Sequence, residues 1–210
     1  MQDPTILIAL LLVGVIAILF LSFYFSRRSR FLRALRKTPR SRIADVREGT
    51  LVKVQGRLEF AAQPLRAPLS GRSCAYYEAI VEERRKRGKS SYWREIIRET
   101  AAEEFLLRDE SGEALIDLVA DNVLLTLDAH YSSGMFDNAG PNEERFLSKH
   151  GHSSTGWIFN RTLRYREGVL AGGETVVVCG VARKDHNGRW VLRRAQGQPL
   201  MVTDDASACD

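Results

Sequence analysis

The sequence predicts a mainly β domain with minor α, preceded by one N-terminal transmembrane helix. Three observations carry this reading. Thr5–Phe25, TILIALLLVGVIAILFLSFYF, runs for 21 residues without a charge or a proline. After residue 50 the chain shows short alternating or β-branched apolar runs, each closed by Gly, Asp or Ser. Helical signals in that part are confined to a short stretch around 142–151.

The apolar run comes first. Twenty-one residues at 1.5 Å rise span about 30 Å, the thickness of a hydrocarbon core, and a backbone placed there must bond internally as a helix. A buried core helix would keep a polar stripe, which this run lacks. A cleaved signal would carry a basic start and a small-residue cleavage site. Here Asp3 is the sole charged side chain before the run, and Phe20, Phe23, Tyr24 and Phe25 close it. Residues 1–26 are therefore read as an uncleaved anchor. Arg27, Arg28, Arg30, Arg33, Arg36, Lys37, Arg40 and Arg42 follow with no acid among them. By the positive-inside rule this flank lies on the cytoplasmic side, the N-terminus outside, and the first six of these cations face lipid headgroups. Residues 27–42 either prolong the anchor helix or form a solvated linker, with Pro39 marking the end.

The isoelectric point near 9.3 suggests a polyanion partner, but the charge is unevenly placed. Residues 43–210 hold 23 basic against 25 acidic side chains, a net charge of −2, so no domain-wide field for nucleic acid exists. Arg outnumbers Lys 25 to 6, which fits GC-rich coding and a bacterial inner membrane. Cys74, Cys179 and Cys209 form no CxxC, and of the four His only His150 and His152 are close; neither a metal nor a cofactor is expected.

Element by element, Thr50–Phe60 alternates as a strand, with Leu51, Val52 and Val54 read on its apolar side and Gly56 marking a bulge or bend. A Pro/Gly/Ser loop follows over 61–73. Residues 74–83 and 92–100 read as the arms of a hairpin whose tip, 84–91, is strongly basic; such a tip serves solubility or faces a membrane. Glu104–Val119 reads as a second hairpin turning at Asp109-Glu-Ser-Gly112, with Asp109 shaping the turn rather than catalysing and Gly112 supplying a positive φ. Asn142 caps the short helix and Gly151 stops it. Residues 173–184 form a buried β-branched strand interrupted by Gly180, with Cys179 as packing. Asp185–Gly188 turns the chain and Trp190 starts the return. This order fits an OB-like, five-stranded Greek-key barrel with an inserted hairpin over 43–203, followed by a flexible tail at 204–210.

Several stretches coincide with one family. PLRAPLSGRSCAYYEAIVEE, then Trp93, then EEFLLRDESGEALID, then RYREGVLAGGETVVVCGVARKD resemble the GIDE domain, also called BAM, over about residues 40–200. That domain occurs in membrane-anchored E3 ubiquitin ligases of the MULAN type and in RING-less prokaryotic relatives. The resemblance implies membrane association and carries the label of an E3 ubiquitin transferase. In the ligases a second membrane helix and a zinc-binding RING follow the domain. Here eight residues follow Val202, with one cysteine and no apolar run, so a RING is not expected. The sequence holds no GxSxG, HExxH or Walker loop. Two readings follow. One is a non-catalytic module that binds a protein partner or senses the bilayer surface. The other is an E3 transferase component, as the family label implies.

Overall fold

The computed structural model describes residues 27–118, 123–125, 129–133, 140–153 and 162–205. The anchor Thr5–Phe25, Cys209 and most of the tail lie outside these residues. Among the described residues no helix is long and apolar enough to cross a membrane.

Five strands close into a barrel: β1 (Leu51–Phe60), β5 (Phe105–Asp109), β6 (Gly112–Ile116), β10 (Thr175–Lys184) and β11 (Trp190–Arg193). Their ring order is β1-β5-β6-β11-β10, and the β1–β10 pairing closes it. The β6–β11 contact is parallel and the other four are antiparallel. Alternation explains the interior. Val52, Val54 and Leu58 of β1 and Val176, Val178 and Ala182 of β10 point into the barrel. Phe105, Leu107, Ala114, Ile116 and Leu192 belong to the same core, which Ile43, Val46, Ala75, Tyr76, Leu118, Leu170, Leu200 and Val202 extend. Leu51 does not belong to it; one residue out of phase with Val52, it is 36% exposed.

The continuous β-branched run of β10 is buried on both faces, and the outer face has its own cover. Helix α1 (Arg27–Lys37) sets Leu35 against Val177, Cys179 and Met201, flanked by Phe31 and Leu32. Leu35 and Cys179 are both 0% exposed. The basic flank is therefore docked on the barrel and is not a solvated linker. The chain then runs alongside β1, where the Ser41 N–H donates to the Lys53 carbonyl (2.8 Å), and forms a 3-10 turn over Ile43–Asp45.

Gly56 and Gly180 mark the points where a strand changes partner, not bulges. The β1–β10 register runs unbroken from Leu51↔Val181 to Arg57↔Thr175. At Gly56–Arg57 the other edge of β1 takes up β5. A Cβ on Gly56 would stand 2.5 Å from the Arg108 carbonyl oxygen. Along β10 the outer edge passes from β12 (Met201–Thr203) to β11 on either side of Gly180. A Cβ there would meet Leu200 Cδ1 at 2.7 Å. β7 (Val123–Leu124) adds beside β12.

The inserted hairpin is part of a larger second sheet. Its centre is β3 (Ser73–Arg87), paired with β4 (Ser90–Ala102) on one side and β9 (Leu163–Ala171) on the other. β2 (Leu65–Arg66) extends the first side and β8 (Ala129–Ser133) pairs with β9. The basic stretch expected to be an eight-residue turn is mostly strand; Gly88 and Lys89 alone make the turn. Helix α2 (Pro141–Lys149) packs Phe146 and Leu147 against Tyr77, Ala79, Val81 and Tyr165 in a core separate from the barrel's. Asn142 does not cap α2. Gly140 occupies that position with Pro141 next to it, and the Asn142 amide instead donates to the Leu69 carbonyl (2.9 Å). Gly151, at φ +70°, stops the helix as expected.

Candidate functional site

The turn residues singled out in the sequence meet the basic flank at one place. Asp109 ends β5, and its carboxylate accepts four hydrogen bonds. Oδ1 takes the Ser111 N–H (2.7 Å), the Ser111 hydroxyl (2.7 Å) and the Gly112 N–H (3.0 Å). Oδ2 takes the Ile43 N–H (2.9 Å), from a segment 66 residues earlier. Ser111 Oγ in turn accepts the Ala44 N–H (3.0 Å). Partial burial disfavours the charged form of Asp109. The bonds from Ser111, Ile43 and Gly112 outweigh it and hold the carboxyl below its ordinary value. Asp109 thus shapes its own turn and also fastens the entry segment to the barrel.

Gly112 plays another part than expected. It is not among the glycines at positive φ, and neither Glu110 nor Ser111 adopts positive φ. A Cβ on Gly112 would sit 3.4 Å from Ile43 Cγ2, an ordinary contact. The turn is made by the Asp109 carboxylate, so it needs no left-handed residue.

Beside this junction lies an open groove of about 790 Å3, lined by the entry segment, β1 and the β5–β6 turn. Arg40, Arg42, Arg57 and Arg108 rim it, with Glu59, Asp109 and Glu110 between them. Arg57 Nε donates to the Gly173 carbonyl (3.0 Å), Arg108 pairs with Glu113 (2.9 Å), and Arg42 pairs with Asp45 (2.8 Å). These exposed pairs are worth little individually and can be exchanged for a ligand's carboxylates or phosphates. The groove can hold an anionic group. Asp109, the carboxylate placed to act as a base, spends its lone pairs on the junction.

The sheet built on β3 has two polar anchors that sequence reasoning missed. Glu167, 1% exposed in β9, accepts the Leu69 N–H (2.8 Å) and the Ser70 N–H (3.0 Å) and so fixes the 61–73 loop. Its signal was a lone acid between the alternating Arg164 and Arg166 and the apolar Val169–Ala171 of β9. Glu99 of β4 accepts from the Tyr77 hydroxyl (2.6 Å) and Lys149 Nζ (2.8 Å), and lies 2.8 Å from His150 Nε2. Burial opposes its charge, while Lys149, Tyr77 and His150 together hold it below the ordinary carboxylate range. His150 is thereby engaged in tying α2 to β4. Among the described residues no group of three or more His, Cys, Asp or Glu is arranged to hold a metal.

The two described cysteines are interior. Cys74 is 0% exposed, with burial first and the nearby Glu167 second pushing its thiol up to about 11. Burial also raises the Cys179 thiol, which donates to Thr38 Oγ1 (3.7 Å). A thiol held protonated away from solvent is a packing group, not a nucleophile.

A protein-family model described as "GIDE: E3 Ubiquitin ligase" matches residues 77–208, well over half of the chain. The chain belongs to the GIDE family. No curated protein matches it, and no solved structure does. The GIDE match starts inside β3 and takes in β4 to β12, with Asp109, Gly112 and Gly180. Gly56 and the flank residues Arg27, Arg28, Arg30, Arg33, Arg36 and Lys37 precede it. The GIDE barrel of this chain closes only with β1, which comes from before the matched range. The six flank residues all belong to α1, whose Leu35 packs on the outer face of the barrel.

Proposed function

We propose that this GIDE domain is a non-catalytic binding module held at a membrane surface. The run Thr5–Phe25 would anchor it in a bacterial inner membrane, with the N-terminus outside and residues 27–210 on the cytoplasmic side. The observation that carries the reading is the burial of Leu35 between α1 and the barrel. A flank docked in this way transmits the position of the anchor directly to the domain. Arg27, Arg28, Arg30, Arg33, Arg36 and Lys37 would then lie within reach of anionic headgroups. The ring order and the parallel β6–β11 contact support reading the closed five-stranded barrel as OB-like, a scaffold that binds through its surface and loops. The arginine-rimmed groove beside Asp109 is the place on this scaffold for an acidic segment of a protein partner.

The test is topological. A reporter fused after Asp210 is expected to be cytoplasmic in a bacterial host and to stay in the membrane pellet at alkaline pH. Changing Arg27, Arg28, Arg30 and Arg33 to Glu should invert or impair insertion. An extracytoplasmic reporter, or a chain released by alkaline extraction, contradicts the proposal.

The second reading is an E3 ubiquitin-transferase component, favoured by the family description. The buried thiols of Cys74 and Cys179 speak against transfer through either cysteine.

A further inference from the structure

Among the described residues the β3–β4 hairpin reaches beyond the strands that flank it. β9 pairs with β3 as far as Glu83↔Leu163, and the Arg84 N–H donates to the Thr162 carbonyl (3.0 Å). Past this point Arg84↔Trp93, Arg85↔Tyr92, Lys86↔Ser91 and Arg87↔Ser90 pair across the ribbon. Four pairs project about 13 Å. Gly88, at φ +61°, and Lys89 close the ribbon as a two-residue turn with glycine first, the form whose twist suits a hairpin.

This projection has an unusual surface. Between Glu83 and Glu95 stand Arg84, Arg85, Lys86, Arg87, Lys89 and Arg94, with no acid among them. Residues 84–95 are all exposed. Arg85 pairs with Glu83 (2.7 Å), and Arg84 donates to Ser91 Oγ (3.1 Å). Tyr92 and Trp93 are 50% and 36% exposed, two of the large apolar side chains that face water among the described residues. The Arg164 guanidinium lies 4.5 Å over the Trp93 ring and holds it at the ribbon's edge.

We propose that the tip of the β3–β4 hairpin docks on an anionic phospholipid surface. Cationic heads meet the phosphates while Tyr92 and Trp93 settle at headgroup depth, the position such rings favour. A nucleic-acid strand would want a basic track across the domain, whereas these six cations are concentrated within about 13 Å, and the rest of residues 43–210 holds 17 basic against 25 acidic side chains. The choice of lipid over nucleic acid rests on the membrane reading above; the cationic, aromatic tip does not.

Full-length protein is reconstituted in phosphatidylcholine nanodiscs, so that its own anchor is occupied. It is then mixed with vesicles of phosphatidylcholine with or without phosphatidylglycerol, and binding is read by co-flotation. Wild type is expected to float with the phosphatidylglycerol vesicles alone. At about fivefold per basic side chain, R84Q/R85Q/K86Q/R87Q should bind on the order of a hundredfold or more weakly. Trp93→Ala should weaken binding by a smaller factor. Should the quadruple variant misfold, K86Q/R87Q/K89Q removes three tip cations and is expected to lose binding in the same way. Equal binding by variant and wild type overturns the proposal, and so does absence of wild-type binding. Tighter binding of a short DNA duplex than of the vesicles at the same salt also overturns it, in favour of nucleic acid. If the membrane reading itself is wrong, the chain will not enter nanodiscs, and the soluble chain then meets the same vesicles directly.

Discussion

Gly56→Ala is expected to destabilise the domain by about 3 kcal/mol, the upper range for overpacking a closed site. The added methyl would stand 2.5 Å from the Arg108 oxygen and 2.9 Å from its carbonyl carbon. Both belong to the backbone of a strand bonded on either side, so relief requires opening the β1–β5 seam of the barrel. Gly180→Ala meets the tip of a side chain, Leu200 Cδ1, which can rotate away. Its cost should be well below that of Gly56→Ala. Gly112→Ala meets ordinary contact at a φ outside the left-handed region and should be close to neutral. Thermal unfolding of the full-length protein in one detergent checks the order. For a domain of this size, 3 kcal/mol corresponds to a drop of roughly 6–12 °C. A Gly56→Ala midpoint equal to wild type would mean that β1 does not pass so close to β5.

Asp109→Ala is expected to cost about 2 kcal/mol, because it strips an acceptor from the buried Ile43 N–H and from the turn donors at once. Asp109→Asn should cost less but not nothing. It keeps one oxygen for Ser111 and Gly112, while its amide meets the Ile43 N–H donor to donor. The carboxyl's folded pKa lies below its unfolded value, so its stabilisation is fully present above about pH 4. It is lost as pH falls through the folded value. The stability gap between wild type and Asp109→Asn should therefore shrink as pH falls below about 4. Taking the difference between the two proteins isolates Asp109 from Glu99 and Asp185, whose carboxyls are also held low. A gap that is constant down to pH 2–3 would show that the charge of Asp109 contributes nothing to the junction.

The barrel was legible because its signals are local. Alternation in β1 and β5–β6, the turn at Asp185–Gly188 and the β-branched run of β10 each fall within about a dozen residues. They place the five barrel strands along the chain. What stayed hidden depends on distant partners. The second sheet brings β9 against β3, about 85 residues apart in sequence, and no local pattern in RYREGVLA declares that pairing. Phe31, Leu32 and Leu35 were hard to read inside a flank dominated by arginine, although their spacing is that of a helix face. Gly112 was misread because an Asp-x-Ser-Gly turn looks the same in sequence whether glycine or the aspartate makes it. Asp109 was read correctly as a turn residue, but its bond to Ile43 joins segments that no spacing rule connects.

The central claim is that this GIDE domain acts by binding and performs no transfer of its own. The most direct measurement is a ubiquitination assay with the purified full-length chain in nanodiscs, supplied with ubiquitin, E1, a panel of E2 enzymes and ATP. The chain has three cysteines, and the two described ones are sealed in its cores. The expected result is no ubiquitin chain formation above that of the E2s alone and no thioester on the protein. Chain formation that is lost on Cys74→Ser or Cys179→Ser, while the thermal midpoint is kept, would contradict the claim and make this protein a transferase.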